Sequence, residues 1–151
     1  MKIKKGFTLI EIVIWMALFI IITSAGVIAL NPSGQLAKAR NTERQLHMTI
    51  FISSIRQVIA DTPGSAWNCS AGALPTSSKK MATGAGNYDM AQCLVPTYLV
   101  NLPFDPSASG AHWTSKTDYN TGYNIFKNAT TSEITVSAPG AELNQTISIT
   151  R

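Results

Sequence analysis

The sequence holds little of what enzymes, metalloproteins and nucleic-acid binders require. It has two cysteines, Cys69 and Cys93, and two histidines, His47 and His112. The histidines lie far apart, with no Asp or Glu at metal-ligand spacing, and two lone cysteines do not make a zinc site. Serine and threonine are abundant but occur in no G-x-S-x-G context, and no glycine-rich phosphate loop is present. No catalytic constellation follows, so the expectation is a protein that is not an enzyme and holds no cofactor. Only 13% of the residues are charged, and the net charge of +4 comes from 12 Lys and Arg against 8 Asp and Glu. Three of those lysines fall in the first six residues. Without them 9 basic residues face 8 acidic ones, or +1, so the basic excess does not point to nucleic acid.

What the chain does have is one long apolar run. Phe7 to Leu30 is interrupted only by Thr8, Glu11, Thr23, Ser24 and Gly26. As a helix, these 24 residues would span roughly 36 Å at about 1.5 Å per residue, enough to cross the hydrocarbon core. The run exceeds the apolar region of a secretory signal peptide, about 7–15 residues, and Leu30-Asn31-Pro32 offers no A-x-A cleavage pattern. Lys2, Lys4 and Lys5 in front of it predict a cytoplasmic N-terminus by the positive-inside rule, with everything beyond Leu30 outside. Inside the run sits Glu11, with no obvious partner in its own helix. A carboxylate there costs on the order of 2.5–3.5 kcal/mol on insertion scales, and such residues are usually functional.

Met1-Lys-Ile-Lys-Lys-Gly6 followed by Phe7-Thr-Leu-Ile-Glu11 resembles the cleavage and methylation signal of type IV pilins and of the pseudopilins of type II secretion systems. The resemblance implies a leader, residues 1–6, removed by a membrane peptidase that cuts after Gly6 and methylates the new terminus at Phe7. It further implies assembly through the N-terminal helices (7–30) into a type IV pilus or a secretion pseudopilus. In such a filament the Glu11 carboxylate would neutralise the α-amino group of Phe7 on a neighbouring subunit, in a bundle of low dielectric. The implied partners are further copies of the chain, the prepilin peptidase and methyltransferase, an assembly platform with its ATPase, and membrane lipid before assembly. The implied location is the inner membrane, single-pass, and then an extracellular or periplasmic filament.

Past the run, Asn31-Pro32-Ser33-Gly34 predicts a kink, after which helical periodicity resumes. Leu46, Ile50, Phe51, Ile55, Val58 and Ile59 form the apolar stripe, and the helix is expected to end near Asp61, before Thr62-Pro63-Gly64. Lys38, Arg40, Arg44 and Arg56, with Glu43 and Asp61, read as a solvated face. Residues 63–118 read as loops. Strands are predicted over 119–127, 133–137 and 145–150 from the alternation of Tyr119, Thr121, Tyr123 and Ile125, of Ile134 with Val136, and of Ile147 with Ile149. The expected fold is α+β: a long bent N-terminal helix, apolar in its first half and amphipathic in its second. It packs on a small antiparallel sheet of about three strands, in one outer domain over 31–151.

Cys69 and Cys93 both fall outside the membrane on this topology. A disulfide between them is expected, closing a loop worth about 3 kcal/mol of unfolded-state entropy, with two thiols in a reducing envelope as the alternative. Leu102-Pro-Phe-Asp-Pro106 with Gly122-Tyr123 resembles the proline–aspartate loop before the sheet of major pseudopilins, with Ser107-Ala108 where tryptophan–glycine often stands. Those pseudopilins commonly hold calcium, for which Asp105 and Asp118 are the weak candidates here. Asn68, Asn128 and Asn144 head N-x-[ST] triplets. The reading from another class is a bitopic envelope protein with a ligand-binding or catalytic outer domain.

Overall fold

The computed structural model describes residues 6–151, without the side chains of 27–30, so Met1–Lys5 and the predicted anchoring by Lys4 and Lys5 lie outside the described residues. The chain divides into two compact units, Met1–Leu36 and Ala37–Arg151.

In the first unit, helix α1 runs from Leu9 to Leu30. Over Leu9–Gly26 its mean hydropathy is 2.3, so one helix is long and apolar enough to cross a membrane. Its large side chains, from Leu18 at 46% to Leu9 at 82%, stand exposed along the helix. A helix that is apolar all round has no single face to bury, and needs lipid or other helices about it. The expected continuous bent helix is instead two helices, because Asn31 adopts φ 43° and ends α1 in the left-handed conformation that Asn tolerates. Helix α2 then starts at once, Pro32 to Asp61, with Pro in the first helical position. The Asn31 side chain accepts from the Gly34 N–H at 3.3 Å and from the Ser33 hydroxyl at 3.0 Å. A Cβ on Gly34 would come within 2.8 Å of Asn31 Nδ2, so glycine makes room for that cap.

In the second unit α2 buries Met48, Phe51, Ile52, Ile55 and Val58, and it ends at Asp61 as expected. The predicted stripe is shifted by part of a turn. Leu46 is 59% exposed, and Met48 and Ile52 take its place in the core. The sheet has five antiparallel strands: β1 (Lys79–Ala82), β2 (His112–Ser115), β3 (Asp118–Lys127), β4 (Ile134–Ala138) and β5 (Ile147–Thr150). Their order is β1-β3-β4-β5, with β2 also paired to β3. The register sets Ile125 beside Val136 and Val136 beside Ile149, so one face of the sheet is continuous and apolar. Tyr123, Ile125, Val136 and Ile147 on that face join the α2 stripe in one core. The three predicted strands are β3, β4 and β5. Strands β1, β2 and the four-residue helix α3 (Ala91–Leu94) fall in the segment expected to be loop.

Ile55→Ala should cost about 2–5 kcal/mol, since it empties a fully buried site. Leu46→Ala on the same helix should stay within about 0.5 kcal/mol. Denaturant titration of the full chain in detergent, followed by near-UV circular dichroism, checks both.

Candidate functional site

The predicted processing site occupies the start of α1. Gly6, Phe7 and Thr8 precede the helix, and Gly6 and Phe7 are exposed. A Cβ added at Gly6 would meet nothing within 4 Å among the described residues, so none of these requires glycine there. The Glu11 carboxylate has one bonding partner, Thr8, just ahead of its helix, and none within the helix among the described residues. The Thr8 N–H donates to Glu11 Oε2 at 3.4 Å, and the Glu11 N–H donates to Thr8 Oγ1 at 3.3 Å. This is the reciprocal capping box of a Thr-x-x-Glu sequence, which satisfies two of the first-turn donors. The signature Thr8-Leu-Ile-Glu11 was there to be read, and the strength of the apolar run masked it. No cation pairs with Glu11 among the described residues.

The second unit is organised around one buried arginine. Arg44 on α2 has no exposed surface, where a solvated face was expected. Its Nε and Nη2 donate to Asp105 Oδ2 and Oδ1 at 2.7 and 2.9 Å, a bidentate fork. Nη2 also donates to Ser107 Oγ at 2.7 Å, and Nη1 to Asn41 Oδ1 at 2.7 Å and Glu142 Oε2 at 3.0 Å. Arg40, one turn earlier, donates from Nε and Nη2 to the two Glu142 oxygens at 2.7 and 2.6 Å. Asn41 closes the cluster by donating to the Glu142 carbonyl at 2.9 Å and to Gln145 Oε1 at 3.0 Å. No buried side-chain nitrogen or oxygen lacks a partner among the described residues.

Two glycines let Asp105 approach. A Cβ on Gly122, which sits in β3 at φ 76°, would lie 2.9 Å from Asp105 Cβ, and one on Gly140 would lie 2.9 Å from Asp105 Oδ2. The Asp105 N–H donates to the Thr121 carbonyl at 2.8 Å, which ties the loop to β3. Burial alone would raise the Asp105 pKa. The Arg44 bonds and the N–H groups of Ser107 and Ala108 outweigh it, and the carboxyl is held below its ordinary value. Glu142 is drawn down to about 2 by its hydrogen bonds from Arg40 and then Arg44. Arg44 is held above its ordinary value, first by Asp105.

The remaining expected positions are accounted for individually. Cys69 and Cys93 form a disulfide, with Cα atoms 5.4 Å apart. The calcium candidates are not brought together into a ligand set. Asp105 gives its oxygens to Arg44 and two backbone N–H groups, and Asp118 faces His112 at 3.1 Å on the surface. No group of three or more His, Cys, Asp or Glu able to hold a metal occurs among the described residues. His47 meets the Tyr123 hydroxyl at 2.9 Å, and burial lowers its pKa. Arg44, Asn41 and Glu142 were not anticipated as a cluster. Nothing local links residues 61 and 98 positions apart, and Asp105 was singled out only through the Leu102–Pro106 loop and as a calcium candidate. Compared with known proteins, the chain matches no family model, no curated protein and no solved structure.

Arg44→Met should cost about 3–5 kcal/mol, because it leaves Asp105 buried without its counter-charge. Adding Asp105→Leu should restore part of that loss in a double-mutant cycle read by denaturant titration. A second expectation concerns pH. Both carboxyls have lower pKa values folded than unfolded, so their contribution is complete above pH 5 or so. It should disappear as the pH falls from the ordinary carboxylate range toward 2. The melting temperature should therefore fall over that interval, and less steeply in Glu142→Gln.

Proposed function

We propose that the chain is a precursor subunit of a filament of the type IV pilus or type II pseudopilus kind, cut after Gly6 and N-methylated at Phe7. The observation that carries this reading is α1, a helix with apolar side chains exposed on all sides and an acid at its third position. Lipid serves the apolar side chains before assembly, and sister helices serve them afterwards. Glu11 is then the group that registers one subunit against the next, its carboxylate facing the Phe7 amine of a neighbouring copy. The capping box supplies only neutral donors, so a cation still gains from approaching it. Gly6 fits the same scheme. A side chain there would meet nothing among the described residues, so a demand for glycine at that position is explained by a peptidase that must reach the bond.

The proposed partners are other copies, the peptidase and methyltransferase, and an inner-membrane assembly platform with an ATPase, since pulling α1 from lipid forfeits its apolar burial. The proposed location is the inner membrane with a cytoplasmic N-terminus, then an outer filament. The alternative, a membrane-tethered outer domain with a catalytic site, receives no support from the second unit. Its buried polar groups are occupied with one another.

Mass spectrometry of the protein from its native membrane should find a terminus at methylated Phe7. A chain that still begins at Met1 would refute the proposal. Gly6→Val should accumulate as uncut precursor with unchanged thermal stability. Glu11→Val should be cut normally yet be lost from sheared filaments, and normal incorporation would refute the registering role.

A further inference from the structure

Beside the end of α2 lies a groove of about 680 Å³ that the ionic cluster does not use. Leu74 and Ile134, both buried, form its floor, and Trp67 lines it. The Trp67 ring is fixed from behind. Its Nε1–H donates to the Tyr88 hydroxyl at 2.8 Å and to the Gly72 carbonyl at 3.2 Å. Tyr88 is itself buried, and its hydroxyl donates to the same carbonyl at 2.8 Å. The Cys69–Cys93 disulfide closes the loop that carries these contacts. The indole therefore has its polar edge turned inward and its position set before any ligand arrives, which lowers the cost of binding.

The exposed side of the groove is polar. Asn128 and Ser132 stand on it, and the half-buried Lys127 lines it as well. The N–H groups of Thr130 and Thr131 donate to Asn128 Oδ1, which leaves its amide nitrogen available as a donor. Lys127 takes part in no ion pair among the described residues, and the groove lining contains no carboxylate. An aromatic plate, an amide, a hydroxyl and one cation suit a ligand with an apolar ring face, many hydroxyls and a negative charge. We infer that this groove binds an acidic saccharide, with a pyranose face against Trp67 and a uronate-type carboxylate at Lys127. The volume lies within the range of small-ligand sites. An acidic peptide would satisfy Lys127 but would not need the ring, and a fatty chain would leave Lys127 and Asn128 without partners.

Isothermal titration of the full chain in detergent, with a hyaluronan hexasaccharide as probe, tests the assignment. The expected result is one saturable site. The neutral chitohexaose and the Lys127→Gln variant should each bind at least about tenfold more weakly, the equivalent of 1.4 kcal/mol. Trp67→Leu should abolish binding of both sugars. Should that variant lose its near-UV spectrum, Asn128→Leu on the exposed side serves in its place and should weaken both. Absence of saccharide binding at millimolar concentration would overturn the inference. So would equal binding by Lys127→Gln, or a poly-glutamate peptide that binds as tightly as the hexasaccharide.

Discussion

A guanidinium taken wholly out of water sets the terms for the second unit. Arg44 sits on a helix whose neighbours Met48 and Phe51 are core residues, and desolvating it there would be prohibitive without compensation. Compensation comes from Asp105, Ser107, Asn41 and Glu142, which together accept five hydrogen bonds from it. Asn41 lies on α2 itself, and the other three acceptors arrive on two separate loops. The loop after Leu102 and the turn around Glu142 are therefore each fixed to α2 by charge as well as by apolar packing. Gly122 and Gly140 belong to the same device, since a side chain at either would push Asp105 off its fork.

Such a cluster need not add net stability over a well-packed apolar equivalent. Its physical consequence is uniqueness. Apolar contacts between α2 and the sheet tolerate small shifts, but a bidentate fork between Arg44 and Asp105 is satisfied in one geometry. The two loops thus have a fixed place against α2, and the long irregular segments from Pro63 to Ala111 have fixed points to span. The disulfide and the Trp67–Tyr88–Gly72 bonds supply a second set of such points at the other end of α2.

Much of this was legible where local pattern suffices. The apolar run, the end of α2 at Asp61 and the strands β3, β4 and β5 follow from periodicities within a few residues. Strands β1 and β2 did not, because Lys79-Lys-Met-Ala82 and His112-Trp-Thr-Ser115 are four residues long and carry no alternation of their own. They are strands because β3 lies beside them and completes their hydrogen bonds. Arg44 was misread for a related reason. A charge on an amphipathic helix is ordinarily solvated, and what reverses the rule is an aspartate 61 positions away that no spacing signals. Helix phase was misjudged by the same token: Leu46 fits the apolar pattern as well as Met48 does, and only the sheet decides between them.

The two units treat charge in apolar surroundings in opposite ways. The second unit contains every partner its buried arginine needs, and no buried side-chain nitrogen or oxygen is left over among the described residues. The first presents a largely apolar exposed surface over residues 9–22 and one carboxylate that, among the described residues, bonds only with the threonine three residues before it. Neutral donors at 3.3–3.4 Å orient Glu11 but do not cancel its charge. A helix of that composition has its free energy lowered by apolar surroundings and by a counter-charge for its acid. Apolar surroundings serve its flanks, and a cation serves its acid.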